Sequence, residues 1–297
     1  MPLRALLQSQ GVEQGEGKRV GGELIGERVL VPLVAAERSP IVDQINVGMA
    51  IATATGGSIR IEAPITDDAP GHRTITPTAN IDLTEVPIEW ALERAHQGDS
   101  GRVDGILAAR RIERQVRERV RHEEADTLIL PRPTDDSPLS HRRLRRLAAE
   151  ASCSVIWVNG EPGYREFASI LLPIADGPHS GLATDVAGAI AKNVDAYVDI
   201  LHVLAPEASV DSEARAERRL ETALERIDIG DRANPWILRE DDPVGAIVEQ
   251  SRYYGLTVVG APSSGRLKQF VYGSTSRTIR NQSDNMVIAA RNPAINR

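Results

Sequence analysis

The stretch SILLPIA, residues 169–175, decides the fold, because RVLVPLV at residues 28–34 has already made the same statement. Each is a short aliphatic run interrupted by proline. That is the pattern of a strand buried on both faces that ends where Pro removes a donor from the ladder. Each is followed by a polar turn and a helical segment, VDQINVGMAIATATG in the first case and LATDVAGAIAKNVDA in the second. Each helix leads to a new strand, SIRIEAP (Ser58 to Pro64) or YVDILHVLAP (Tyr197 to Pro206). The plan recurs after about 140 residues, too long for a solenoid unit and the right size for a duplicated domain.

Working outward, the parallel continues. The segment GILAARRIERQVRERVRHEEA predicts a helix whose Ile112, Val116 and Val120 step by four and form one buried stripe. The strand TLILP (Thr127 to Pro131), the helix SHRRLRRLAAEA and the strand SVIWV (Ser154 to Val158) follow. The second half answers with PVGAIVEQSRYYG, LTVVG, STSRTIRNQ and MVIAA. Strands alternating with helices predict an α/β fold of two repeated, doubly wound, Rossmann-like domains, each a five-stranded parallel sheet flanked by helices. The expected boundaries are a polar, glycine-rich tail over 1–25, a first domain over 26–160 and a second over 166–293. NGEPGYRE (Asn159 to Glu166) serves as linker.

Composition bounds the function. Of 297 residues, 41% are hydrophobic and only 3% aromatic, so the cores are built from Ile, Leu, Val and Ala. A net charge of −7 argues against general nucleic-acid binding, which needs basic surface to displace counterions. Lys18, Lys192 and Lys268 are the only lysines, and Cys153 is the only cysteine, which rules out an intrachain disulfide. The opening segment lacks the apolar core of a signal peptide, and no run reaches the roughly 20 apolar residues that span a bilayer. The expectation is a cytoplasmic protein with no membrane insertion.

The richest candidate site is GAPSSGRLKQFVYGST, residues 260–275, between an apolar strand and a helical segment. Backbone N–H groups at such a helix start favour phosphate. Gly260 and Gly273 suit close backbone approach. Ser274 is a good N-cap, and the N–H groups of Ser274 and Thr275 are the natural donors, with Arg266 and Lys268 adding positive charge. Against this, Pro262 has no N–H to donate and Ser263 resists positive φ at a cost of roughly 1–2 kcal/mol. Gly260 and Gly265 have P-loop spacing, but Arg266 and Leu267 stand where Lys and Ser or Thr are needed, so that motif is excluded. Two readings of the loop remain, a phosphate cradle and an empty structural loop.

These residues resemble the universal stress proteins, in a tandem form covering Arg28 to Arg291. The resemblance is sharpest where ILLP is followed by ILHV, and where TVVG runs into the glycine loop and GSTSRTI. ATP-binding members carry G-x2-G-x9-G-(S/T) after the fourth strand. Here Gly260, Gly273 and Ser274 keep that spacing, Ser263 replaces the second Gly, and Gly265 lies two residues on. The family's acid after the first strand falls on Ala175, with Asp176 next, and its contact at the end of the second strand falls on Val203. The first half has PRPTDDSPLSHRR with no glycine, and Val34 in place of the acid. The resemblance therefore implies ATP or a related adenine nucleotide, with Mg²⁺, in the second domain and none bound in that manner in the first.

Other candidates have plainer readings. The six histidines show no HxH or HExxH spacing, and His202 in ILHV reads as a packed strand residue. The pairs Asp67–Asp68, Asp135–Asp136 and Asp241–Asp242 read as turn formers or helix starts. Asp242 precedes Pro243, a favoured first helical residue. The arginine runs read as solvated helix faces. The long loop TDDAPGHRTITPTANIDLTEVP reads as a cover or a partner-binding element.

No catalytic constellation stands out, so enzymatic work is limited to slow ATP hydrolysis. Two functional classes stay open. One is a nucleotide-binding regulatory protein. The other is a non-binding scaffold that recognises an unknown protein partner, for example as a soluble regulator of a membrane transporter. Family members commonly pair through the fifth strand, which predicts an intramolecular pseudo-dimer through SVIWV and MVIAA, able to form a homodimer.

Overall fold

A computed structural model describes residues 24, 26–33, 38–64, 74–75, 102–109, 112–122, 124–131, 138–159, 168–262 and 286–293. The first half runs β1 (Arg28–Pro32), α1 (Arg38–Thr55), β2 (Ser58–Pro64), β3 (Thr74–Ile75), β4 (Arg102–Ala109), α2 (Ile112–Arg121), β5 (Thr127–Pro131), α3 (Pro138–Glu150) and β6 (Ser154–Asn159). The second runs β7 (Ser169–Pro173), α4 (Ser180–Val194), β8 (Tyr197–Leu204), α5 (Val210–Ile227), β9 (Ala233–Arg239), α6 (Pro243–Ser251), β10 (Leu256–Gly260) and β11 (Met286–Arg291).

Local chemistry explains the helix ends. Ser209 caps α5 by accepting from the Ser212 N–H, and Asp211 and Glu213 complement the dipole in the first turn. Ala216, Leu220, Ala223 and Ile227 form its buried stripe. Asp242 caps α6, accepting from the Gly245 N–H at 3.0 Å, with Pro243 first in the helix. The two central helices leave through a left-handed residue, Gly56 (φ 68°) after α1 and Asp195 (φ 56°) after α4.

Among the described residues, 11 strands form one sheet in the order β3-β4-β2-β1-β5-β6-β11-β10-β7-β8-β9. Each half contributes five parallel strands in the order third, second, first, fourth, fifth. This is the doubly wound arrangement the sequence predicts. The halves meet at β6 and β11, which pair antiparallel from Val155↔Arg291 to Asn159↔Val287, as expected for SVIWV and MVIAA. Neither strand is left as an open edge.

One apolar core lies under α1 and α4 and crosses the seam, joining Val31, Ile45 and Ile51 to Leu172, Ile190 and Ile288. A second, on the opposite face, joins Val116, Leu144 and Trp157 to Val259 and Val287. Polar contacts reinforce the seam. The Arg291 guanidinium donates to the Ala148 carbonyl at the end of α3, and the Leu24 N–H donates to the Asp185 carboxylate on α4 at 2.9 Å. Arg226 pairs with the same carboxylate.

One sequence expectation is corrected. Gly105 to Ala109, read as the start of a helix, belong to β4, paired in parallel with β2 from Ser58↔Arg102 to Pro64↔Ala109. The helix begins at Ile112. A short apolar run does not distinguish a strand from a buried helix by periodicity, and pairing with β2 decides it. Val116 and Val120 are buried as expected. The matching third strand β9 carries Pro235, tolerated because β9 lies at the end of the sheet. The long loop contributes Thr74 and Ile75 to β3, antiparallel to β4. Val34, the tail before Leu24, and most of the predicted linker lie outside the described residues.

Candidate functional site

In the second half the strand order reverses between β7 and β10, the place where open α/β sheets bind ligands beyond the carboxyl ends of their strands. A cleft of about 270 Å³ opens there. Its walls are the β7–α4 loop from Pro173 to Ser180, Ile247 of α6, and Val259 to Pro262 at the exit of β10. Most of these groups are apolar. Such walls suit the apolar part of a small ligand, with the few polar groups left to orient it.

The β7–α4 loop is held from several elements. The Ile174 N–H donates to the Leu201 carbonyl at 2.9 Å, and the Ile174 carbonyl accepts from Nδ1 of buried His202 at 2.8 Å. The Ser180 hydroxyl donates to the Ala175 carbonyl at 2.8 Å. Arg219 of α5 forms an ion pair with Asp176. Asn292, just past β11, donates from its side-chain amide to the Pro178 carbonyl and from its backbone N–H to Nδ1 of His179 at 3.2 Å. A loop so fixed needs little ordering when a ligand arrives.

Gly260 faces this loop at close range. A Cβ built there would lie 3.1 Å from the carbonyl carbon of His179 and 3.2 Å from its Cβ and carbonyl oxygen. Backbone retreats less readily than a flexible side chain, so a side chain here would press the loop back by a few tenths of an ångström. The chain beyond follows the sheet, with the Ala261 N–H donating to the Ala290 carbonyl at 2.7 Å.

Of the residues singled out from sequence, Asp176 and Gly260 lie on opposite walls of the cleft. Asp176 is exposed, and its carboxylate is engaged by Arg219. Val203 sits half-buried on β8, beside Leu238 of β9 and away from the cleft lining. Ser263, Gly265, Gly273, Ser274 and Thr275, with Arg266 and Lys268, lie outside the described residues. Sequence reasoning missed His179, Ser180, Arg219 and Asn292. None sits in a recognisable motif, and Arg219 and Asn292 reach the loop from far along the chain.

Two imidazoles flank the loop. The His202 ring is pushed towards neutrality by burial, partly offset by its bond to the Ile174 carbonyl. The His179 ring is pushed the same way by burial and then by the Arg291 guanidinium. Burial raises the Cys153 thiol to about 12, which leaves it unreactive. Among the described residues no group of three His, Cys, Asp or Glu side chains is placed to hold a metal ion, and no helix is long and apolar enough to cross a membrane.

At the comparable place in the first half, among the described residues, a polar side chain bridges the first and fourth strands. Gln44 of α1 is fully buried, and its Nε2 donates to the Pro32 carbonyl at the end of β1 (3.2 Å) and to the Ile129 carbonyl on β5 (2.9 Å).

Residues 166–291 match the profile of the Universal stress protein family. No curated protein matches the chain by sequence similarity. Solved structures share the fold over nearly the whole length. A universal stress protein from Archaeoglobus fulgidus DSM 4304 is 14% identical with a TM-score of 0.53, the match covering 91% of this chain and 98% of that one. The cytoplasmic domain of a prokaryotic cation chloride cotransporter is 14% identical with a TM-score of 0.59, covering 89% and 94%. A putative universal stress protein from Pseudomonas aeruginosa UCBPP-PA14 is 16% identical with a TM-score of 0.50, covering 90% and 93%. Residues 166–291 thus form a domain of the Universal stress protein family, and the first half repeats the fold.

Proposed function

We propose that the chain is a regulatory protein that binds ATP or a related adenine nucleotide in the cleft between β7 and β10. The observation that carries this reading is the cleft itself. It lies at the switch point of the half that matches the family, it is walled by apolar groups, and Gly260 keeps it clear of a side chain. The adenosine end belongs against Ile174, Ile247 and Val259. The phosphates, with Mg²⁺, belong towards the glycine-rich segment that follows Pro262. The role in this reading is binding, through apolar walls and a glycine that leaves them clear.

Calorimetric titration of AMP, and of ATP with Mg²⁺, into the full chain and a Gly260→Val variant tests the reading. Uptake by the parent, lost in the variant, supports it. No heat from the parent up to millimolar nucleotide sinks it.

A second reading makes the chain a soluble regulator of a membrane transporter. It has one observation in its favour, the tandem architecture shared with the cytoplasmic domain of the cation chloride cotransporter. At 14% identity that likeness is one of fold, and the reading gains ground only if the titration is blank.

A further inference from the structure

The polar side chains at the cleft are few, and among the described residues their hydrogen bonds leave one side-chain donor unused. The Ser180 hydroxyl is committed to the Ala175 carbonyl, and the Asp176 carboxylate to Arg219. His179 is half-buried, lines the cleft and packs its backbone against Gly260. Its Nδ1 meets the Asn292 N–H, and an N–H can only donate. Nδ1 is therefore unprotonated, and the neutral ring carries its proton on Nε2. Asn292 is itself anchored, because its side-chain amide donates to the Pro178 carbonyl. Burial and the nearby Arg291 guanidinium both disfavour the imidazolium, which would place a second donor against the Asn292 N–H. Among the described residues nothing accepts from Nε2–H.

We infer that His179 is a specificity-determining residue of the cleft, a neutral imidazole held by Asn292 whose Nε2–H donates to an acceptor atom of the bound adenine nucleotide. This rests on the reading of the cleft as a nucleotide site. A fixed donor of this kind accepts a base ring nitrogen or a ribose oxygen and rejects a ligand that presents a donor there. Such a site discriminates more sharply than an apolar wall does.

Imidazole ¹⁵N NMR on the full chain at pH 7.5, without and with AMP, tests the inference. Calorimetry on His179→Gln and His179→Asn accompanies it. The Gln side-chain nitrogen reproduces the donor at Nε2. The Asn oxygen reproduces the acceptor at Nδ1 and leaves the donor's place empty. The free protein should show the Nε2-protonated ring, and AMP should shift that nitrogen. The Gln variant should bind within about threefold of the parent and the Asn variant about tenfold more weakly.

An Nδ1-protonated ring overturns the inference before any ligand is added. AMP binding that leaves the His179 ring unmoved, or that the two variants weaken equally, overturns it and leaves the nucleotide reading intact. A parent that takes up no AMP overturns the nucleotide reading and this inference with it.

Discussion

Between β7 and β10 the strand ends open onto a cleft of about 270 Å³, whereas the same place between β1 and β5 is crossed by the Gln44 side chain. The helices behind the two sites share one pattern. Residues 43–52 of α1 and 182–191 of α4 have the same burial, position for position. In that alignment Asp43 and Gln44 stand where Leu182 and Ala183 do, and all four are fully buried. The strand order, the proline closing the first strand and the left-handed helix exit are common to both halves. The frame is repeated, and among the described residues the two switch points differ in the side chains they hold. Fold and site are separable here within a single chain.

The comparison breaks most readily at Gln44. Gln44→Ala leaves two buried carbonyls without their donor and opens a void beneath them, so the expected loss of stability is about 3 kcal/mol. Denaturant unfolding should show a lower midpoint. A stability unchanged from the parent would mean that Gln44 does not hold the first switch point closed. The reciprocal change, Ala183→Gln, sends a long polar side chain towards the second switch point. It should weaken AMP binding by about tenfold or more and cost about 1–3 kcal/mol by overpacking. Calorimetry that finds the parent's affinity in this variant would show that the two helices are not equivalent in this respect.

How much of this was legible in the sequence follows from how local each signal is. Proline-closed runs such as ILLP and VLVP, and caps such as Asp242 before Pro243, are complete within a few residues, and these elements stand where the pattern puts them. The third strand of each half was not legible. β4 begins with charged residues and contains Gly105, β9 carries Pro235, and both are strands because β2 and β8 offer them a ladder. At the site, Gly260 was visible as a glycine at a strand end. Its reason, the His179 backbone at 3.1 Å, was not. Arg219 meets Asp176 from 43 positions away and Asn292 meets His179 from 113, distances over which one sequence carries no signal of contact.

The halves also differ in how they answer acid, a smaller effect. His179 and His202 have pKa values lowered in the fold by burial, so below about 6.5 the unfolded chain binds more protons than the folded one. Their contribution is present above that pH and is lost as pH falls through it. Glu62 in the first half is fully buried beside Arg119. Its pKa is raised by burial, with the Arg119 hydrogen bond and charge opposing. It contributes most below its unfolded pKa and less as pH rises through the folded one. Stability followed from pH 7 to pH 5 should therefore fall less steeply in His202→Asn and more steeply in Glu62→Gln than in the parent. Identical slopes for the three proteins would contradict the assignment.

The smallest effect is expected at the Arg219–Asp176 pair. Among the groups that fix the β7–α4 loop, Asp176 is the most exposed, its side chain 78% accessible against 27% for Arg219. Solvent screens such a pair, and holding two flexible side chains together offsets much of the attraction. Arg219→Met keeps the length and apolar stem of the side chain and removes the charge. The expected change in stability is within about 0.5 kcal/mol. AMP affinity should stay within about threefold, because His202, Ser180 and Asn292 still hold the loop from β8, α4 and the segment after β11. A tenfold loss of affinity in this variant, with stability unchanged, would mean that Asp176 is held in place for the ligand. The second switch point would then offer a ligand an oriented acid as well as an apolar cleft.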